Sequence, residues 1–179
     1  MTRDKRPLRK SIRPYYFIVE GFTEENYLLL LKFLYKNGAK IKNCGGGSVK
    51  NTLLEAEKII NKNNPDDYLG YVIWFDQDRY YVSSDSNLKN SLEKKKGVTI
   101  YISKPCIENW LLAHFQPINL NEYECSACEK KLLKYIPNYD KNDHDLLKKV
   151  ITEKEIQNAI ANYPELGKIR TEYFGKIVS

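Results

Sequence analysis

Asp76 and Asp78 stand one residue apart at the end of the apolar run Tyr71-Val72-Ile73-Trp74-Phe75. Residues two apart point to the same side of a strand, so the two carboxylates are expected together at a strand end. Adjacent like charges disfavour their own ionised forms, and a cation between them relieves this. The pair therefore reads as a candidate divalent-metal site. Oxygen-only ligands select Mg²⁺ or Mn²⁺ over zinc. Metal at such carboxylates clamps a phosphodiester and activates water. Arg79 follows directly, either as an ion-pair partner for one of the aspartates or as a contact to phosphate.

Three more acids belong to the same argument. Glu20 ends the apolar run Tyr15-Tyr16-Phe17-Ile18-Val19, and Glu24 lies one helical turn beyond it. Glu108 precedes Leu111, Leu112 and Phe115 at helical spacing, so it heads an apolar face. Such a carboxylate is expected to be partly buried, and burial demands a partner. Glu20, if left off the metal, is suited to general acid or base work. Glu24, Glu25 and Glu108 have a plainer reading as acids that favour a positive helix N-terminus.

The tract Gly45-Gly46-Gly47-Ser48 comes before a helical pattern. It is either a structural turn or an anion cradle at a helix N-terminus, and the Lys-Ser/Thr ending of a P-loop is missing. Lys104 is a further candidate for phosphate. His114 lies six residues after Glu108, on another side of the helix, and reads as a packed, hydrogen-bonded histidine. Cys125 and Cys128 have metal-ligand spacing, but zinc would need two more ligands, from His114, His144 or Cys44. Reduced structural thiols are the favoured reading.

The elements that must position these groups alternate. Strands are expected at Tyr15–Val19, Lys40–Cys44, Leu69–Phe75 and Val98–Ile102. The third is apolar on both faces and so central. Helices are expected at Glu24–Tyr35 with Thr23 as N-cap, at Lys50–Asn61, and at Ile107–Phe115 after Pro105. Asp76–Asn87 reads as a polar loop, followed by a short amphiphilic segment over Leu88–Lys96. Beyond Pro117 the pattern is helical, at Cys125–Tyr135, Asp143–Ile151 and Glu153–Ala161, with Pro164 and Gly167 as breakers. Repeated strand-helix units predict an open, mainly parallel α/β sheet flanked by helices, with a helical C-terminal cap. In such sheets, sites gather beyond the carboxyl ends of the strands. That rule brings Glu20, Asp76, Asp78 and Glu108 to one edge.

The chain has 179 residues, enough for one domain with a substantial core. We divide it into a basic tail (1–14), a catalytic core (15–116) and a helical extension (117–179). Of the net charge of +6, +5 falls in the first 13 residues, which carry Arg3, Lys5, Arg6, Arg9, Lys10 and Arg13. This tail is either a phosphate-gripping arm or a solubilising leader. No apolar run reaches the roughly 20 residues of a membrane span, and a secretory h-region is absent. A cytoplasmic protein without a membrane role is expected.

Three blocks resemble the RloB-like family, which has a Toprim-type site. They are Phe17-Ile-Val-Glu-Gly-Phe-Thr-Glu-Glu-Asn-Tyr27, Val72-Ile-Trp-Phe-Asp-Gln-Asp78 and Ile102-Ser-Lys-Pro-Cys-Ile-Glu-Asn-Trp-Leu-Leu-Ala-His-Phe115. The glycine turn at 45–48 is similar too. The resemblance implies a Toprim-like fold, the Toprim glutamate at Glu20, a metal-chelating pair at Asp76 and Asp78, and further acids at Glu24 and Glu108. It implies a Mg²⁺-dependent nuclease of bacterial antiviral defence, acting on DNA or RNA, tRNA included, beside restriction-modification genes. Other defence-locus subunits and a second copy of the chain are its expected partners. The rival readings are a nucleic-acid- or partner-binding subunit with a vestigial site, and a nucleotide-handling transferase.

Overall fold

The computed structural model describes residues 13–119, 121 and 124–175. Four strands form one sheet: β1 (Tyr15–Val19), β2 (Lys40–Asn43), β3 (Gly70–Asp76) and β4 (Val98–Ser103). Their order is β2-β1-β3-β4, and every pairing is parallel. The two inner strands are the two most apolar ones. Along β3, all of Gly70–Phe75 is buried, as a strand covered on both faces requires.

Strand periodicity divides the interior in two. Phe17, Val19, Val72 and Trp74 face one layer, shared with α1 (Phe22–Tyr35) and α4 (Ile107–Leu112). Tyr16, Ile18, Tyr71, Ile73 and Phe75 face the other, shared with α2 (Val49–Lys62) and α3 (Val82–Glu93). The first layer also takes Cys128, Leu132, Ile156, Leu166, Ile169 and Phe174 from the C-terminal helices. These are α5 (Cys125–Leu132), α6 (Leu146–Val150), α7 (Glu153–Asn162) and α8 (Pro164–Ile169), followed by a π-helical turn at Arg170–Phe174. Among the described residues, no helix is long and apolar enough to cross a membrane.

Several local expectations need correction. The polar stretch read as a loop over Asp76–Asn87 holds a 3₁₀ turn (Gln77–Arg79) and the first half of α3. Its serines misled because the anchoring residue is a buried acid. Asp85 accepts the Tyr81 N–H at 3.0 Å and the Ser84 hydroxyl at 2.8 Å. Thr23 is not the cap of α1; Gly21 occupies that position without a side-chain hydrogen bond. Pro164 opens α8 rather than breaking a helix, since its fixed φ suits a first turn. Gly167 lies inside α8, where an added Cβ would come within 3.0 Å of Ile160 Cγ2. Ser48 does cap α2, accepting from the Asn51 N–H at 3.3 Å.

Candidate active site

The parallel sheet places the ends of β1, β3 and β4 side by side. Beyond them an open pocket of about 190 Å³ is lined by Glu20, Glu24, Asp76, Asp78 and Glu108. Each acid arrives by its own route. Glu20 continues the line of β1, its N–H donating to Trp74 O at 3.0 Å. Glu24 is in the first turn of α1 and Glu108 in the first turn of α4. Asp76 is the last residue of β3.

Asp78 is not on the strand. The chain leaves β3 at Asp76 and turns through the 3₁₀ segment, so the same-side argument for the pair fails. Asp78 reaches the pocket because its N–H is held by Pro105 O at 3.1 Å. The two aspartates consequently differ in setting. Asp76 is half-buried and Asp78 exposed.

Specific donors fix the inner acids. Glu20 Oε2 accepts the Asp76 N–H at 3.1 Å, and Asp76 Oδ1 accepts the Ile107 N–H at 2.9 Å. These two bonds link the ends of β1 and β3 to the start of α4. Glu108 is 3% exposed, and its Oε1 accepts from Tyr139 Oη at 3.1 Å and from Lys141 Nζ at 3.1 Å. Both donors come from the C-terminal segment, between α5 and α6. Tyr139 Oη also lies 3.1 Å from Thr23 Oγ1, so one hydroxyl joins α1, α4 and the extension.

The electrostatics of the pocket are unfavourable to its own charges. Burial pushes the Glu24 carboxyl up to about 8, and the neighbouring Glu20 and Glu108 add to the effect. Asp76 is driven well above the ordinary carboxylate range by burial, then by Glu24, Glu108, Glu20 and Asp78. Glu20 is raised by burial, against the opposing pull of the Asp76 N–H and Arg79. Protons are held here because positive charge is short. Among the described residues, no three acidic, histidine or cysteine groups are gathered as a ready metal-binding set. Repulsion between uncompensated carboxylates opposes such gathering. An all-oxygen donor set with surplus negative charge nevertheless suits a hard divalent cation.

The candidate phosphate contacts divide. Arg79 lines the pocket, but its partner is neither aspartate. Its Nη1 lies 3.9 Å from Glu20 Oε1 and donates to Gly47 O at 3.1 Å. Gly46 lines the pocket and donates its N–H to Glu20 O at 2.7 Å. Its φ of +77° suits glycine. Gly47 and Ser48 serve the turn and the α2 cap and do not line the pocket, and neither does Lys104, which is exposed. Arg13 pairs with Asp66 at 3.2 Å rather than extending as a free arm. Arg3, Lys5, Arg6, Arg9 and Lys10 lie outside the described residues. Glu25 accepts from Asn43 Nδ2 at 2.7 Å and is not part of the pocket wall.

His114 is fully buried. Its Nδ1 is 3.0 Å from Leu111 O, and its Nε2 is 3.2 Å from Tyr27 Oη. Burial lowers its pKa to about 4, so it is a neutral core group. His144 Nδ1 lies 2.6 Å from Asn26 Oδ1. Among the described residues, neither histidine is gathered with Cys125 and Cys128 into a metal-binding set. Cys106 and Cys125 line the pocket instead, and Cys125 Sγ donates to Asp78 Oδ2 at 3.4 Å. Burial pushes the Cys125 thiol up to about 12. None of Cys44, Cys106, Cys125 and Cys128 is in a disulfide.

Phe22, Cys106 and Lys141 line the pocket and Tyr139 bonds Glu108 beside it, and reading along the chain singled out none of them for the site; Cys125, also in the wall, was read only as half of a zinc pair. Lys141 and Tyr139 sit in a polar stretch with no periodicity, and their partner is more than 30 positions away. Phe22 carried a signal. An aromatic residue directly after Glu20-Gly21 is out of place in a polar turn, and it stays 41% exposed beside the acids.

A family model described as RloB-like protein matches residues 15–172. The chain belongs to the RloB-like family. The match runs through the C-terminal helices as well as the sheet, so Tyr139 and Lys141 lie within the family region along with the acids. Searches of the curated proteins and of the solved structures found no match.

Proposed function

We propose that this RloB-like chain is a metal-dependent nuclease that hydrolyses phosphodiester bonds in DNA or RNA, tRNA included. One observation carries the reading. Glu20, Glu24 and Glu108, all buried, and the half-buried Asp76 converge from three strand ends into one pocket short of positive charge. A protein rarely brings such carboxylates together out of water unless a cation or a reaction uses them. Asp76, Glu24 and Glu108 would hold Mg²⁺ or Mn²⁺, with Asp78 at the rim. A bound ion would supply positive charge against phosphate oxygens and acidify water.

The chain's own residues then have distinct tasks. Burial raises the Glu20 pKa, and its Oε2 accepts the Asp76 N–H, so it is suited to take or return a proton beside the metal-holding acids. Arg79, held between Glu20 and Gly47 O, presents a guanidinium to the phosphate. Gly46 lets the backbone approach closely. The Toprim-like description of the site, and a place in antiviral defence beside other defence-locus subunits, follow from the family resemblance and form part of this proposal.

The test is incubation of single-stranded DNA, duplex DNA, RNA and a tRNA pool with the protein in Mg²⁺ or Mn²⁺. Cleavage that needs the ion and disappears with Asp76→Ala plus Asp78→Ala is the expected result. Full activity in the double variant would refute the site. Tight binding of the same polymers without cleavage, and without a metal requirement, would favour the binding-subunit reading.

A further inference from the structure

Among the described residues, the pocket walls hold two cations opposite five acids, Arg79 and Lys141. Arg79 belongs to the sheet edge, Lys141 to the C-terminal segment. We propose that Lys141 is a substrate-contacting residue that grips the phosphate at the scissile position, and that Glu108 and Asn26 hold it there. This deepens the nuclease reading above and rests on it.

Geometry supports the assignment in three ways. The Lys141 side chain is 51% exposed while that of Glu108 is only 4% exposed, so the ammonium spans a buried carboxylate and an open pocket. An ammonium has three donors, and the contact at 3.1 Å to Glu108 Oε1 engages one. The others are free to meet a phosphate oxygen. The backbone beneath is also pinned. Asn26 Nδ2 donates to Lys141 O at 2.8 Å, and Asn26 is 3% exposed in α1, two residues after Glu24. A surface lysine that merely balanced Glu108 would not need its own main chain anchored by a buried amide.

Charge gives the same answer. A polyanion entering a pocket of five carboxylates is repelled unless positive charge meets it. Arg79 supplies this on one side only. Tyr139 and Lys141 both use Glu108 Oε1, which leaves Oε2 available to a metal. Glu108 can thus hold Lys141 and still contribute to the ion site.

The experiment uses Lys141→Met and Lys141→Arg in the full chain. The affinity of a labelled single-stranded DNA, and of the same sequence as RNA, is measured in Ca²⁺ over about 50–200 mM salt, with Mn²⁺ affinity measured separately by calorimetry. Loss of one phosphate contact lowers the slope of log affinity against log salt by about one. The expected result for Lys141→Met is roughly tenfold weaker binding, that reduced slope, and Mn²⁺ affinity unchanged or higher. Lys141→Arg restores most of the binding. An unchanged slope and affinity in folded Lys141→Met, with only a lower Tm, would overturn the proposal and leave the nuclease reading intact. A parallel fall in Mn²⁺ affinity would also overturn it, because Lys141 would then act only through Glu108. Wild-type protein that binds Mn²⁺ but neither polymer would overturn the nuclease reading itself, and this assignment with it.

Discussion

The edge of the sheet and the C-terminal segment contribute opposite things to one pocket. The sheet edge brings carboxylates: Glu20, Asp76 and, at the start of the next helices, Glu24 and Glu108. The C-terminal segment brings the groups that tolerate them, the Tyr139 hydroxyl and the Lys141 ammonium. The first region is built from short-range rules, strand then turn then helix. The second is a polar chain tied down by hydrogen bonds that span more than 100 positions, from Thr23 to Tyr139 and from Asn26 to Lys141. The contrast teaches that the acids alone make a strained pocket. The extension is what allows Glu108 to be buried.

The largest effect expected from breaking this contrast is at Asp76. Asp76→Asn keeps an acceptor for the Ile107 N–H but removes the charge. Cleavage should fall by at least about 10²–10³-fold, the scale of losing a principal electrostatic group. In metal-free buffer near pH 8 the same variant should melt higher than wild type, because a repelled carboxylate is gone. Each 1 kcal/mol corresponds to about 2–4 °C for a domain of this size. A variant both inactive and less stable would show that Asp76 is structural rather than poised for an ion.

The next effect is on pH dependence. Burial raises Glu24 to about 8 in the folded state from the ordinary glutamate value of 4.5, so the folded chain keeps a proton that the unfolded chain loses. Its contribution is present below about 4.5 and is lost as pH rises to about 8. His114 is lowered to about 4 from 6.5, so its contribution runs the other way, lost as pH falls from 6.5 to 4. The two slopes oppose each other between about 4.5 and 6.5. Metal-free Tm should therefore fall most clearly between pH 6.5 and 8. Melting curves of Glu24→Gln should flatten that fall, and Mn²⁺ should raise wild-type Tm more at pH 8 than at pH 5.5. Equal Mn²⁺ effects at both pH values would count against carboxylate binding.

The smallest effect sharpens the other side of the comparison. Tyr139→Phe removes one hydroxyl with contacts to Glu108 and Thr23. It should cost about 0.5–1.5 kcal/mol, the net range for a typical intramolecular hydrogen bond, read as a Tm loss of a few degrees. Its effect on cleavage should be much smaller than that of Asp76→Asn. If the order of the two is reversed, the C-terminal segment carries chemistry that the sheet edge does not.

Much of this layout was legible along the chain. Apolar runs at 15–19 and 71–75 stated two central strands, because a strand covered on both faces must be apolar throughout. Alternation of strands and helices implied parallel pairing, and parallel pairing put Glu20, Asp76 and Glu108 at one edge. Glu108 announced its burial by heading the Leu111, Leu112 and Phe115 face. The helix at Val82 was hidden because its start is held by Asp85, an acid whose burial has no local signature.

Sequence by itself therefore determined the four strands, the helices α1, α2 and α7, their order and which acids meet, since these depend on periodicities of two and 3.6 residues and on strand direction. Tertiary structure alone decided how those acids are satisfied. It turned Asp78 off the strand, gave Arg79 to Glu20 instead of an aspartate, and delivered Tyr139 and Lys141 to Glu108. The physical reason is range. Backbone preferences act between neighbours, whereas the pairing of a buried charge depends on which distant groups the packed fold brings within about 3 Å.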